Sequence, residues 1–255
     1  MKAICKDLSD EYAALDAIVA ELEPLEWDRI TPLDGWTIKD EISHLAYYDR
    51  AAFLSATDHE AFTKNVEEMI EGFVNYKQMF QKVNSEGNAM DCPSLLNWWR
   101  FERDRLLKAY EQLDSKTRLP WYGPPMSVTS SATARLMETW AHGQDICDAL
   151  KISREGTDRL KHIAHLGVST FAWSFANRKM EVPDISIYVE VLSPSNELWT
   201  WGPQDAEEYV KGSALDFCLI VTQRRRPDDT KIQIQGESAK QWMNIAQTFV
   251  EPPEE

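Results

Sequence analysis

Apolar residues recur at steps of three and four through about the first 175 residues, which is the spacing of amphipathic helices. The first such set is Leu8, Tyr12, Leu15, Val19 and Leu22. The turn-forming sequence Thr-Pro-Leu-Asp-Gly at 31–35 is expected to end this helical segment. Thr37 followed by Asp40 then resembles a capping box, which predicts that a second helix begins there.

Further helices are predicted in the segments where apolar residues again recur every three or four positions. Pro, Gly and Ser residues separate these segments. Together with the helix that begins at Thr37, they cover about 37–55, 59–84, 94–113, 130–150 and 155–177. Long helices joined by short connections are typical of an up-and-down bundle. The sequence therefore predicts a four-helix bundle as the N-terminal domain, over residues 1–178.

The hydrophobic period changes to two after Pro183. Ile187, Val189 and Val191 alternate with other side chains, as in a strand with one buried face. Further strands are predicted at 198–202, 208–211 and 231–235, helices at 213–222 and 238–249, and a disordered tail at 251–255. The predicted fold class is thus an α-helical bundle followed by a small α+β domain over residues 179–255.

Charge and composition restrict the partners. A net charge of −15 argues against nucleic acid or an anionic membrane as the main partner, because both attract a basic face. No segment approaches the roughly 20 apolar residues of a membrane span, and the first residues lack the apolar centre of a secretion signal, so a cytoplasmic location is expected. The four cysteines are scattered, which favours reduced thiols over disulfides or a cysteine metal site.

Three residues form the strongest candidate for chemistry. Glu138 and His142 are four residues apart and therefore share one side of a predicted helix, and His44 lies on another helix. Two imidazoles and a carboxylate suit zinc and leave one coordination position free for water or substrate. The spacing fits a solvated helix face equally well, because Leu136 and Trp140 form the apolar stripe of that helix and the polar pair lies off it. Spacing alone leaves both readings open.

Two segments resemble the metal motifs of one family. Gly-Trp-Thr-Ile-Lys-Asp-Glu-Ile-Ser-His-Leu at 35–45 resembles the helix-two signature of the DinB-like metalloenzyme superfamily, in the branch around mycothiol-dependent maleylpyruvate isomerase. Glu-Thr-Trp-Ala-His-Gly-Gln-Asp at 138–145 resembles the second metal motif of that branch. The resemblance extends over nearly the whole chain. It implies a divalent metal, usually zinc, with His44, Glu138 and His142 as its protein ligands.

The same resemblance implies an activity. Such an enzyme activates a low-molecular-weight thiol, mycothiol or a similar one, for isomerisation or S-transfer on a small electrophilic and anionic substrate. Arg224, in the segment 216–226, is the residue expected to grip a substrate carboxylate, although the run at 224–226 leaves the choice of arginine open. The alternatives are a metal-dependent hydrolase and a non-catalytic metal-binding or apolar-ligand-binding protein.

Other polar and aromatic residues have two interpretations each. Asp40, one turn before His44, either orients that imidazole or complements the positive start of its helix. His162 and His165 are interpreted as structural or pocket-lining residues. The Trp-Tyr-Gly-Pro-Pro loop at 121–125 either packs in the core or forms a wall of the substrate pocket.

Overall fold

The computed structural model of the protein describes residues 1–33 and 35–249. The chain divides into two compact units, Met1–Ser153 and Arg154–Glu255. The domain boundary predicted from the sequence, at 178/179, lies later in the chain than the boundary between these two units. The helices between residues 153 and 178 pack with elements of the second unit. The tail at 251–255, for which disorder is predicted, lies outside the described residues.

The described part of the first unit contains six α-helices and a short hairpin. The helices are α1 (Lys2–Val19), α2 (Ile38–Thr57), α3 (His59–Ile70), α4 (Tyr76–Asn88), α5 (Cys92–Gln112) and α6 (Val128–Leu150). A 3-10 helix, Pro24–Asp28, lies between α1 and α2. The hairpin of β1 (Arg118–Leu119) and β2 (Met126–Ser127), absent from the sequence prediction, connects α5 to α6.

Local sequence sets where these helices begin and end. The capping box predicted for α2 is confirmed, since Thr37 accepts a bond from the backbone N–H of Asp40 and Asp40 accepts one from that of Thr37. The segment 59–84, predicted as one helix, is divided into α3 and α4. Gly72 adopts a φ of 72°, which ends a helix readily because glycine lacks a Cβ, and Asn75 caps the start of α4.

Four helices, α1, α2, α5 and α6, form the bundle, and a buried polar network joins them. Asp49 of α2 is fully buried and accepts hydrogen bonds from Tyr12 of α1 (2.7 Å), Trp99 of α5 (3.2 Å) and Arg135 of α6 (2.8 Å). Each bundle helix therefore contributes one residue to a single hydrogen-bonded cluster. An isolated charge in this position would be costly, whereas the paired Asp49 and Arg135 satisfy each other.

The bundle helices do not simply alternate in direction. Trp99 donates to Asp49 and, further along both helices, Arg105 lies over the ring of Phe53, so α2 and α5 run parallel. The intervening α3 and α4 explain this direction: Asn88, at the end of α4, bonds to the first turn of α2 and so returns the chain to that end. A four-helix bundle followed by a small α+β part is confirmed, with this parallel pair as an added feature.

The described part of the second unit is a four-stranded sheet with helices. Its elements are α7 (Leu160–Ser169), α8 (Phe171–Ala176), β3 (Ile187–Leu192), β4 (Leu198–Trp201), β5 (Glu208–Ser213), α9 (Ala214–Val221), β6 (Gln233–Gln235) and α10 (Glu237–Ile245). The strand order is β4-β3-β5-β6, with β3 and β5 parallel and the other neighbours antiparallel. The helix predicted at 155–177 is two helices that meet at Thr170.

None of the helices in the described part of the chain is both long enough and apolar enough to cross a membrane.

The contact between α4 and α2 depends on a glycine. A Cβ added at Gly87 would lie 2.7 Å from the Cβ of Ser43, closer than real Cβ contacts. We expect Gly87→Ala to lower the free energy of unfolding by about 1–3 kcal/mol, because the clash outweighs the higher helix propensity of alanine. Urea denaturation measures this change. Gln81→Ala, at an exposed position of the same helix, is the matched control, and an equally stable Gly87→Ala protein would contradict the packing described.

Candidate metal centre

The three predicted ligands meet in the first unit. Glu138 Oε2 lies 3.2 Å from His142 Nε2 and 3.7 Å from His44 Nε2. One ligand atom from each of the three residues lies within 4.8 Å of the other two. Both imidazoles are buried, and the Glu138 side chain is 23 % exposed, so the group has one side towards solvent.

The direction of α2 and α6 explains this convergence. These helices run antiparallel. Asp49 of α2 pairs with Arg135 of α6. Glu41, two turns before Asp49, pairs with His142, two turns after Arg135. His44 lies between the two pairs on α2 and faces the stretch of α6 that carries Glu138. The four-residue spacing of the α6 ligands then stacks both on the side that faces α2.

The separations of the ligand atoms fit a zinc ion. Zinc–nitrogen and zinc–oxygen bonds of about 2.0–2.2 Å in a tetrahedral arrangement place neighbouring ligand atoms about 3.3 Å apart. The distances of 3.2 and 3.7 Å from Glu138 to the two imidazoles are close to this spacing. Two imidazoles and one carboxylate are a donor set that zinc favours, and a three-residue set leaves a coordination position free.

A second carboxylate orients one of these imidazoles. Glu41 Oε2 lies 2.5 Å from His142 Nδ1, and the other Glu41 oxygen accepts a 2.7 Å bond from the Thr31 hydroxyl. Glu41 is fully buried. A carboxylate bonded to the far nitrogen of a ligating histidine fixes its ring and its tautomer, and this arrangement is common in metal sites. Sequence reasoning missed Glu41, although its position three residues before His44 places it on the same side of α2.

Asp40 has another role. Its Oδ2 accepts bonds from the backbone N–H and the hydroxyl of Thr37, at 2.9 and 2.7 Å, and its Oδ1 accepts one from the Asn88 amide, at 2.7 Å. The buried Nδ1 of His44 has no hydrogen-bond partner among the described residues. The interpretation of Asp40 as the carboxylate that orients His44 is therefore wrong. Asp40 caps the start of α2.

The cluster of buried groups contains an excess of acid. Burial and the nearby His142 lower the pKa of His44 to about 3, so His44 is a neutral imidazole. Burial also disfavours a charged His142, but its bonds to Glu138 and Glu41 raise its pKa to about 9. Although burial alone would raise the pKa of Glu138, its bonds to both imidazoles hold it well below the usual range. Burial raises the pKa of Glu41, the second acid bonded to His142, so two carboxyl groups share one imidazole, an arrangement that a bound cation would relieve.

Aromatic rings surround the two imidazoles. Trp36 stacks on His142, with centroids 5.9 Å apart and planes at 15°, and its centroid lies 5.2 Å from that of His44. Tyr48 and Phe80 lie 4.5 and 5.8 Å from His44. All three aromatic side chains are half-buried, whereas the imidazoles are buried.

The loop at 121–125 lies one layer further out. Trp121 and Tyr122 have ring centroids 6.4 and 5.7 Å from Tyr48. The Tyr122 hydroxyl donates a 2.7 Å bond to Asn65 of α3, which ties this loop to the helices around the site. The loop therefore supports Tyr48, and its role as a wall of the substrate pocket stays a prediction.

Sequence comparison identifies the family of the chain. A family model described as "Mycothiol maleylpyruvate isomerase N-terminal domain" matches residues 8–147, which is more than half of the 255 residues. The chain belongs to this family. A second model, described as "Wyosine base formation", matches residues 188–229 of the second unit.

Full-length relatives of this family member occur in Mycobacterium tuberculosis. "Uncharacterized protein Rv0036c" of strain H37Rv and "Uncharacterized protein MT0041" of strain CDC 1551 are each 43 % identical to it over 247 residues. The alignment covers 97 % of this chain and 95 % of each relative.

Two solved structures share the fold of this family member. A crystal structure of the mycothiol-dependent maleylpyruvate isomerase covers 99 % of this chain and 95 % of its own, with a TM-score of 0.59 and 15 % identity. A histidine-to-alanine mutant of that enzyme covers 88 % of this chain and 89 % of its own, with the same TM-score and identity. At this identity the likeness shows the fold alone, and it confirms the predicted fold class.

The other residues considered from the sequence for substrate binding or metal ligation lie in the second unit. Arg224 follows α9, is half-buried and donates a 2.7 Å bond to the Thr222 carbonyl. Its grip on a substrate carboxylate stays a prediction. His165 of α7 accepts a 3.2 Å bond from the Trp201 indole. Among the described residues, His162 and His165 belong to no group of three candidate metal ligands.

The geometry separates the roles of two adjacent acids. We expect Glu41→Gln to weaken Zn²⁺ binding about 10- to 100-fold, because the amide cannot supply the charge that orients the His142 ring. Competition with a chromophoric chelator measures the dissociation constant. The matched control is Asp40→Asn, which alters the cap of α2 and the bond to Asn88 but no hydrogen bond of the three ligands, and should leave Zn²⁺ affinity within about twofold of the wild type. A larger loss in Asp40→Asn than in Glu41→Gln would contradict this assignment.

Proposed function

We propose that this protein is a zinc-dependent enzyme that activates a low-molecular-weight thiol for isomerisation or S-transfer on a small electrophilic substrate. The convergence of His44, Glu138 and His142 supports this proposal, since the chain belongs to a family named for mycothiol maleylpyruvate isomerase. Each of these residues has an ordinary structural use elsewhere in proteins. Their meeting at distances suited to one ion, beside an orienting carboxylate, favours the metal site.

The residues around the site have separate roles in the proposed function. When bound, zinc supplies a positive charge and a free coordination position that lower the pKa of a thiol enough to make the thiolate available near neutral pH. His44, Glu138 and His142 would hold the ion. Glu41 fixes the His142 ring. The rings of Trp36 and Tyr48 limit the access of water to the imidazoles.

The proposed reaction uses the thiolate as a nucleophile. Its sulfur forms a bond to one carbon of a conjugated double bond, and the electron pair moves to the conjugated carbonyl group. The former double bond is then free to rotate. Expulsion of the thiolate restores the double bond, and the net result is cis–trans isomerisation. If a proton is added instead and the carbon–sulfur bond remains, the result is S-transfer. Arg224, in the second unit, stays the residue that the sequence predicts to grip a substrate carboxylate.

The location and the partners of this enzyme remain predictions consistent with the proposal. A reducing cytoplasm would keep a small thiol available, and the net charge of −15 argues against nucleic acid as a partner. The expected partners are therefore a small substrate and the thiol.

Metal content tests the first half of the proposal. We expect purified protein to retain about one zinc ion per chain and His142→Ala to lose most of it, because the two remaining ligands bind zinc weakly. Inductively coupled plasma mass spectrometry on dialysed protein gives the ratio. His59→Ala removes an exposed imidazole from α3 and serves as the matched control. Equal zinc in the wild type and His142→Ala would contradict the site.

Thiol dependence tests the second half. We expect zinc-loaded protein to isomerise or alkylate electrophilic alkenes only when mycothiol or another small thiol is added. Glu138→Gln should reduce the rate at least about 100-fold, because the neutral amide is a weaker zinc ligand. Absorbance of the conjugated alkene follows the reaction. Turnover at the same rate without thiol would favour the hydrolase, and zinc binding without turnover of any alkene would favour the non-catalytic binding protein.

A further inference from the structure

Aromatic rings border the two imidazole ligands of the metal centre. His44 and His142 are 5 % and 6 % exposed, so neither imidazole forms the surface that an incoming molecule meets. Trp36, Tyr48 and Phe80 are more exposed and have ring contacts with these imidazoles. A molecule that reaches either imidazole therefore lies beside an aromatic ring.

Trp36 is fixed relative to the metal ligands. Its backbone N–H donates to the Leu33 carbonyl at 3.0 Å, and its carbonyl accepts from the Thr31 N–H at 2.9 Å. The Thr31 side chain bonds to Glu41, which in turn bonds to His142. The Trp36 backbone thus belongs to the same hydrogen-bonded array as the ligand set, and its indole packs against His44, His142 and Phe80. Its ring is a pre-formed platform, so little conformational entropy is lost when a ligand packs on it.

Phe80 extends the platform towards solvent. Its ring lies edge-on to Trp36, with centroids 5.7 Å apart and planes at 69°. Tyr76 and Phe73 continue the row, at 6.3 Å and 5.4 Å between successive rings, and are 41 % and 48 % exposed. An aromatic surface therefore runs from the imidazoles to the outside of α4.

The charged groups around the site offer little to a small polyanion. The basic residues closest in sequence to the ligands are occupied: Arg135 pairs with Asp49, Lys39 donates to the Asn88 carbonyl, and Arg50 pairs with Glu86. Besides His44, the ionisable side chains that cluster with His142 are the acids Glu41, Glu138 and Asp145. Within the first unit, the groups left to recognise a substrate are therefore the metal and the aromatic rings.

We propose that the substrate of this site has a planar apolar body, aromatic or conjugated, which packs against Trp36 and Phe80 while its reactive group reaches the free coordination position. The inference rests on the proposed function, because it takes the metal at His44, Glu138 and His142 as bound. Stacking on an aromatic ring and burial of apolar surface both favour such a ligand over a short aliphatic one. We expect a preference of about tenfold or more.

Two probes with the same metal-binding group test this inference. Benzohydroxamate and acetohydroxamate differ only in the phenyl or methyl group next to the chelating atoms. Isothermal titration of the zinc-loaded protein gives both dissociation constants. We expect benzohydroxamate to bind at least about tenfold more tightly, and Trp36→Ala or Phe80→Ala to reduce the ratio of the two affinities to about threefold or less. Phe101→Ala, at an exposed ring on α5, is the control and should keep the full preference.

The outcomes distinguish the two proposals. Equal affinity of the probes for the wild type, or an unchanged preference in both ring variants, would overturn the aromatic substrate while leaving the metal site intact. If the protein retains no zinc and binds neither probe, the proposed function fails and the inference fails with it. Phe80→Leu keeps apolar volume but removes the ring, and it replaces any alanine variant that does not fold.

Discussion

The buried pair of Asp49 and Arg135 is the interaction on which the rest of the first unit depends. Asp49 also binds Tyr12 and Trp99, so one carboxylate joins all four helices of the bundle. Loss of one partner would leave a buried charge without compensation, which costs about 3–5 kcal/mol. The pair therefore specifies a single register of α2 against α6. That register brings His44 opposite Glu138, and the metal centre follows from it.

The metal centre combines this fixed register with an unbalanced charge. Glu41 and Glu138 bind opposite nitrogens of His142, and in the absence of a metal a proton on that ring balances part of their charge. His44 is neutral and has a nitrogen close to Glu138. A cation bound by Glu138 and both imidazoles would relieve the excess acid, while Glu41 would keep its hydrogen bond to His142. The same acidic groups therefore hold the His142 ring in place and favour the cation that the proposed chemistry needs.

The sequence predicts the local part of this arrangement well. The α6 ligands share a helix face because they are four residues apart, and α2 begins at Thr37 because the capping box is complete within four residues. Whether Asp40 or Glu41 contacts an imidazole ligand depends on helix packing and not on local sequence. Adjacent helix positions differ by about 100° in direction, so which acid faces α6 depends on where α6 lies. Sequence spacing carries no information about that packing, so it leaves both readings of Asp40 open and does not identify Glu41 as the carboxylate that orients His142.

Other differences share this long-range cause. The parallel direction of α2 and α5 results from α4 returning to the start of α2, where Gly87 allows close contact with Ser43. The break at Gly72 divides a segment whose apolar spacing continues across it, and a single glycine inside such a pattern is an ambiguous signal. The hairpin before α6 has only two residues per strand, too few for an alternating pattern to appear.

Zinc K-edge X-ray absorption of the protein loaded with one equivalent of zinc tests the central claim most directly. The account predicts a first shell of nitrogen and oxygen at about 2.0–2.1 Å, with the outer-shell scattering of two imidazoles. Replacement of His44 by alanine should reduce that scattering to one imidazole. A spectrum without imidazole scattering, or one unchanged by the loss of His44, would contradict the claim that α2 and α6 together bind one ion.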